Sequence, residues 1–442
     1  MYLNPFLFHK NYTKESIIIN LMGGGIQLIP NDVAIILFSN PQSLPQNYIS
    51  YFKETEILFD NSSDFNSSFG QYKEASFRLT NQNPLNIIFT LTYNCNMACT
   101  YCFQRRQNSK SFTHTMSMEI IKSAKNIVNS LELLNHFSTG KSNIYLYGGE
   151  PLMNNPMLYE AVESLCNTFH STNEIFITTN GYDLDYFIKL FEKYSNFNIQ
   201  ITLDGPKEIH DKRRISKHND SSFTKILSNL NKISTIDHKI MIRMNIDEEN
   251  YHYTDKLIEQ LCEQDYFKNK NISDFLYFAP VTNREKEDVN LDFYKCFIDY
   301  YFENLYEAKI KVSNLRPLDY AIRLFGGENI SPSNFYCDAL YGKYIIDPYG
   351  NIGICEEAIL GSNQIFGKIE KDIKVSVSPN DWKNRSVDEL EFCKSCKYKY
   401  LCSGGCPWKA LNCRGNVNEP ICDNFPEIFE YSVDKLYEIH SQ

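Results

Sequence analysis

Between residues 85 and 285, short apolar runs alternate with stretches of helical periodicity, the repeating signature of βα units. The apolar runs at residues 85–91, 144–147, 174–178, 198–203, 239–245 and 275–279 predict six strands. Apolar positions recurring every three to four residues predict helices over 116–136, 156–170, 184–195, 221–232 and 251–264. Strand and helix in alternation call for a parallel α/β sheet or a partial barrel. The first 80 residues follow another rhythm: short strands at 16–21, 25–29 and 57–59 and helices at 32–37 and 46–53, a module too small for an enzyme and suited to binding. The polar run 61–72 predicts a linker. After residue 291 a long helix leads into a loop-rich tail, so the predicted segments are 1–80, 85–310 and 311–442.

Composition narrows the class. A chain of 442 residues, 43% hydrophobic and 22% charged with 30 Tyr and 30 Phe, has ample core and excludes a disordered or disulfide-stapled fold. The net charge of −10 and the lack of a long basic run argue against nucleic acid as a partner. The N-terminus lacks a basic, then apolar, export signal, and no stretch approaches the length of a membrane span, so a cytoplasmic location away from membranes is expected. Of 14 Cys, eight fall at or after residue 337. In a cytoplasmic chain such crowding points to thiolate ligation of metal.

Directly after the first predicted strand comes Cys95-Asn96-Met97-Ala98-Cys99-Thr100-Tyr101-Cys102, a C-x3-C-x2-C loop at the strand end where α/β folds place their sites. Three close thiolates can hold three irons of a 4Fe-4S cluster and leave the fourth iron open, whereas structural zinc asks for a fourth protein ligand that is not nearby. This motif, with Tyr101 just before its last Cys, resembles that of the radical SAM superfamily. The resemblance implies that the open iron chelates S-adenosylmethionine, that cleavage yields a 5′-deoxyadenosyl radical, and that the protein places cofactor and substrate.

Further strand ends carry matching residues. Gly148-Gly149-Glu150 after the second strand resembles the family's GGE motif, which contacts the SAM amino group; glycines allow close backbone approach and the carboxylate accepts a charged donor. Thr179 and Asn180 end the third strand, and Asp204-Gly205-Pro206 ends the fourth, leading to His210-Asp211-Lys212-Arg213-Arg214. By resemblance to peptide-modifying members, Arg214 is the candidate for the SAM carboxylate, with a solvated Arg213/Arg214 pair as the plain alternative. Arg243 and Asn245, near the end of the fifth strand, occupy cofactor-facing or rim positions.

The tail cysteines Cys337, Cys355, Cys393, Cys396, Cys402, Cys406 and Cys422 are similar in spacing to the seven-cysteine SPASM extension, which binds two auxiliary iron-sulfur clusters. The resemblance assigns Cys337, Cys355 and Cys406 to the first and Cys393, Cys396, Cys402 and Cys422 to the second, three 4Fe-4S clusters in all. Cys413 is either a fourth ligand of the first auxiliary cluster, or that iron is open to a substrate thiolate. Cys166, Cys262 and Cys296 read as buried small hydrophobes.

Together these features imply a partial (β/α)6 TIM-type barrel between a small winged-helix-like N-terminal α+β domain and an iron-sulfur tail. The implied activity is maturation of a ribosomally made precursor peptide, whose leader adds as a strand to the N-terminal module, by thioether or carbon-carbon cross-linking. A flavodoxin- or ferredoxin-type protein would donate electrons. The competing enzyme reading is an anaerobic sulfatase-maturing, formylglycine-forming enzyme, and a peptide epimerase is a further alternative. That sulfatase group has Asp directly after the Cys matching Cys355, where this chain has Glu356, and usually begins near the core. An iron-sulfur electron carrier or a leader-binding module would leave the SAM-like motifs unused. Glu356, beside a cluster cysteine, is the candidate catalytic base.

Overall fold

The computed structural model describes residues 1–104, 114–134, 142–171, 173–195, 197–236, 238–287, 289–361, 364–369, 373–374, 382 and 384–441. All six expected barrel strands are present: Asn86–Thr90, Asn143–Tyr147, Ile175–Thr179, Asn198–Thr202, Lys239–Ile246 and Leu276–Pro280. Each pairs parallel with its sequence neighbour, and together they form the centre of an eleven-stranded sheet. The mixed α/β architecture is therefore the one expected, a mostly parallel sheet of partial-barrel type. Ile87, Phe89, Ile144, Leu146, Ile177 and Ile201, on the sheet face opposite the one that carries Tyr147, Thr202 and Asn245, belong to one continuous apolar core with the helices.

Local chemistry sets the helix starts. Asn155 accepts from Met157 N at 2.8 Å and Pro156 occupies the first turn of Pro156–Phe169. Ser221 caps Ser222–Lys232. The helix expected over 116–136 is broken at Ser123 into Met118–Lys122 and Ala124–Leu134, and its last two residues lie outside the described ones. Those expected at 184–195 and 251–264 each open with a 3-10 turn, Leu184–Phe187 and Tyr251–Tyr253.

Two expectations are corrected. The polar run 61–72 is not a linker but the start of the helix Ser62–Gln82. Asn61 accepts from Ser63 N and Asp64 N, and Phe65, Phe69 and Tyr72 at helical spacing pack on an apolar cluster shared with the tail. The loop-rich tail ends in the helix Phe425–His440, which buries Phe425, Ile428, Phe429, Val433 and Leu436. Cys166 is buried as expected, but Cys262 and Cys296 are exposed. Both sit off their helix's buried stripe, which is Leu257 and Leu261 in one and Phe293, Phe297 and Tyr301 in the other.

The segments interlock. Strands Lys311–Val312 and Lys343–Ile346 extend the barrel sheet on its two sides, the second pairing parallel with Asn86–Thr90. The N-terminal module is a three-stranded antiparallel sheet, Leu7–Asn11, Ser16–Asn20 and Ile26–Ile29, with helices Asn31–Ser39 and Gln46–Glu54. It is clamped to the final helix: Phe8 meets Phe429 edge-on, Tyr12 stacks on Tyr437, and Lys10 pairs with Asp434 at 2.6 Å. Among the described residues no helix is long and apolar enough to cross a membrane.

Candidate functional site

The loop carrying the first three cysteines is held from two sides. Ala98 N donates to Ile215 O at 2.7 Å, Thr100 N to Arg213 O at 3.0 Å and Lys217 N to Asn96 O at 2.9 Å, stitching it to the segment that follows the fourth strand. On the other side Gly149 N donates to Thr92 O at 2.7 Å and Glu150 N to Asn94 O at 2.9 Å. A Cβ on Gly149 would lie 2.2 Å from Asn94 O, and one on Gly148 2.4 Å from Thr92 O, so both positions require glycine for close backbone approach.

Glu150 is 1% exposed. Its Oε1 accepts from Thr179 Oγ1 at 2.5 Å and Leu152 N at 2.9 Å, and its Oε2 from Asn180 N at 2.6 Å. Burial pushes the carboxyl up to about 7, against the downward pull of those donors. A carboxylate has about four acceptor positions, so room remains for a cationic donor. Asn180 is itself spent on the protein: Nδ2 donates to Asn96 Oδ1 at 2.7 Å and Oδ1 accepts from Tyr182 N at 2.8 Å, with Cys95 Sγ 3.8 Å from Nδ2. Thr179 and Asn180 thus act on Glu150 and on the cysteine loop.

Tyr101 directs its hydroxyl into a buried polar knot. It donates to Asp204 and accepts from Arg214 Nη1 at 2.7 Å and Asn245 Nδ2 at 3.0 Å. Asp204 also accepts from Asn245 N at 3.0 Å. The two arginines separate in role. Arg213 is ion-paired with Asp247 at 2.8 Å, whereas Arg214, 8% exposed, is bonded to Tyr101; buried guanidinium nitrogens of both, Arg214 Nε among them, have no hydrogen-bond partner. Burial opposes the Arg214 charge, but Cys99, Tyr101 and Asp204 outweigh it and hold the guanidinium protonated. Arg243 Nε donates to Asn245 Oδ1 at 2.8 Å.

These groups open on a cavity of about 1010 Å³ that joins both cysteine regions. Cys95, Cys99, Cys102, Glu150, Arg214 and Arg243 line one part of it, and Cys337, Cys355, Glu356, Cys402, Cys406 and Cys422 another. Asp204, Cys393, Cys396 and Cys413 are not on its wall. The Cys406 thiol acts on Cys337 and Cys355, while Cys422, Cys393, Cys396 and Cys402 act on one another, so the tail cysteines gather as two groups. Cys413 stands apart: its Sγ lies 3.9 Å from Arg284 O and its main charged neighbours are Lys409, Glu287 and Asp423. Glu356 is bound by Lys343 Nζ at 3.2 Å, which also binds Asp338 at 3.0 Å.

Sequence reasoning missed Lys343, Arg284 and Tyr147. Arg284 follows the sixth barrel strand, and Tyr147 ends the second, so strand-end position is the signal that marks both. Tyr147 lines the cavity with Glu356 and Cys102 among its charged neighbours.

The donor chemistry fits the cofactors the motifs imply. Among the described residues no three His, Cys, Asp or Glu side chains converge on a single metal ion; a cubane asks instead for one thiolate per iron at separated corners. The free acceptor capacity of Glu150 suits an ammonium and the free Arg214 Nε a carboxylate, the two charged ends of an α-amino acid.

Residues 89–261, which hold the first cysteine loop and most of the parallel strands, match the Radical SAM superfamily model. The chain is 26% identical over 369 residues to a cysteine-type anaerobic sulfatase-maturating enzyme of Clostridium novyi, covering 78% of this chain and 93% of that one. Its fold is similar to that of anSMEcpe with bound AdoMet and the Kp18Cys peptide, with TM-score 0.59, 21% identity and 81% and 99% of the two chains covered. It is also similar to Streptococcus suis SuiB bound to its precursor peptide SuiA, with TM-score 0.54, 13% identity and 95% and 98% covered.

Proposed function

We propose that this protein is a radical SAM maturase of peptides, with SAM and one 4Fe-4S cluster at Cys95, Cys99 and Cys102 and auxiliary 4Fe-4S clusters in the tail. One observation carries this reading: a single cavity brings together the first cysteine triad, Glu150 and Arg214 with the tail cysteines Cys337, Cys355, Cys402, Cys406 and Cys422. Bound there, cluster and SAM would supply radical chemistry able to take a hydrogen atom from a substrate.

The chain's own residues then have defined work. Glu150 holds the SAM ammonium and Arg214 its carboxylate, while Tyr101, Asp204 and Asn245 fix the Arg214 guanidinium by the hydrogen bonds described. Thr179 and Asn180 orient Glu150. Arg243 faces the cavity as a cation for cofactor or substrate. Glu356, on the part of the cavity lined by the tail cysteines, accepts the proton that the substrate releases on oxidation. Cys337, Cys355 and Cys406 hold the first auxiliary cluster, and Cys393, Cys396, Cys402 and Cys422 the second. A flavodoxin- or ferredoxin-type protein supplies electrons.

We assign the substrate to a ribosomally made precursor peptide, cross-linked through a thioether or carbon-carbon bond, with residues 1–80 as the leader-binding module. The fold likeness to SuiB supports this. It leaves out only 5% of the chain, about 22 residues, so it must extend into the N-terminal module. Sulfatase-type maturation is the second reading, favoured by a relative matched over 93% of its own length. The test is mass spectrometry of a short peptide encoded beside this gene, co-expressed anaerobically with the chain and with a Cys95→Ala control. Loss of about 2 Da per modification, absent in the control, is the expected result. An unmodified peptide, together with formylglycine formed in a co-expressed sulfatase, would transfer the assignment to the second reading. Solvent deuterium uptake without other mass change would make the chain an epimerase.

A further inference from the structure

Arg284 reaches the tail cysteines from the loop after the strand Leu276–Pro280. Its Nη1 donates to Cys406 Sγ at 2.7 Å, and its Nε pairs with Glu357 at 2.8 Å. Its backbone is anchored too, since Arg284 O accepts from Asn412 Nδ2 at 3.3 Å on the helix Pro407–Arg414, which follows Cys406 directly. The planar fork is thus aimed at one sulfur and held there by a carboxylate two residues after Cys355. Cys413 lies at the Arg284 carbonyl, away from the guanidinium. Lys343, by Cys337 and Cys355, is engaged with Asp338 and Glu356.

We propose that Arg284 is a positioning residue that fixes the Cys406 sulfur and raises the reduction potential of the iron-sulfur group held by Cys337, Cys355 and Cys406. The inference rests on the reading of those cysteines as cluster ligands. Reduction adds negative charge to a cluster already bound by thiolates, and a fixed cationic donor on a ligand sulfur stabilises the reduced form more than the oxidised one. Lysine is a point donor and cannot bridge sulfur and carboxylate with one rigid plane, so Arg284→Lys should preserve only part of the effect.

The experiment is an EPR-monitored redox titration, with iron analysis, of the full chain reconstituted anaerobically. Wild type, Arg284→Gln, Arg284→Lys and Glu357→Gln are compared, each also with Cys95, Cys99 and Cys102 replaced by Ala so that only tail signals remain. The expected result is unchanged iron content, one tail potential displaced to more negative values in Arg284→Gln, a smaller displacement in Arg284→Lys, and the other tail potential unmoved. Full iron with a wild-type potential in Arg284→Gln would overturn the inference and leave the cluster reading standing. Where Arg284→Gln fails to load, a fully loaded Arg284→Lys with wild-type potential overturns it as well. Failure of the underlying reading looks different: joint replacement of Cys337, Cys355 and Cys406 would then remove no iron, instead of about four per chain.

Discussion

Glu150 offers a prediction whose size comes from the structure. In the unfolded chain its carboxyl titrates near 4.5, and in the fold burial moves it up to about 7. The folded state therefore binds the proton more tightly, and stability must fall as pH rises between those values. At about 1.4 kcal/mol per pKa unit the cost of the buried charge is about 3 kcal/mol once both states are ionised, most of it appearing between pH 5 and pH 8. Glu150→Gln removes the charge. It also sets an amide against Asn180 N–H, a penalty of about 1–3 kcal/mol that does not vary with pH. Comparing wild type and variant at two pH values cancels that constant. Urea unfolding of the cofactor-free chain under reducing conditions should show wild type losing about 2–3 kcal/mol more than the variant between pH 5 and pH 8. Parallel profiles would refute the reasoning. SAM should stabilise the wild type more strongly at pH 8 than at pH 6, because its ammonium meets an ionised Glu150, and this pH dependence should vanish in the variant.

Other outcomes follow from single contacts. Gly149→Ala drives a Cβ against Asn94 O and Tyr93 O, so the chain should lose about 1–3 kcal/mol in chemical denaturation and part of its iron at the first triad; wild-type values of both would contradict the close approach. Phe8→Ala empties a site 1% exposed against Phe429, and about 3–5 kcal/mol of contact between N-terminal module and tail should vanish. Limited proteolysis should then release the module, and an unchanged digest would count against the clamp. Cys99→Ala should abolish 5′-deoxyadenosine formation, while Cys396→Ala should keep uncoupled SAM cleavage yet yield no product; equal turnover in both would undo the assigned roles.

The barrel strands could be read because each is a local apolar run, and parallel pairing follows from helices between them. The C-x3-C-x2-C and GGE motifs were readable because each lies within one short loop after a strand. What escaped depends on distant packing. The helix Ser62–Gln82 looks polar until Phe65, Phe69 and Tyr72 are seen against the tail, and the final helix has its partners some 420 residues earlier, at Lys10 and Tyr12. Strand Lys343–Ile346 carries no sign of its parallel pairing with Asn86–Thr90. In the site, sequence named Tyr101 and Arg214 but not their shared hydrogen bond, and could not separate Arg213, ion-paired with Asp247, from Arg214, bonded to Tyr101. Arg284 lies 122 residues from the sulfur it touches, beyond any motif.

The most direct test of the account is anaerobic incubation of the iron-reconstituted chain with SAM and dithionite, quantifying 5′-deoxyadenosine against a Cys95→Ala control. The account predicts its formation by the wild type and none by the control. A fully iron-loaded wild type that forms no 5′-deoxyadenosine, or a control that forms as much, would contradict it.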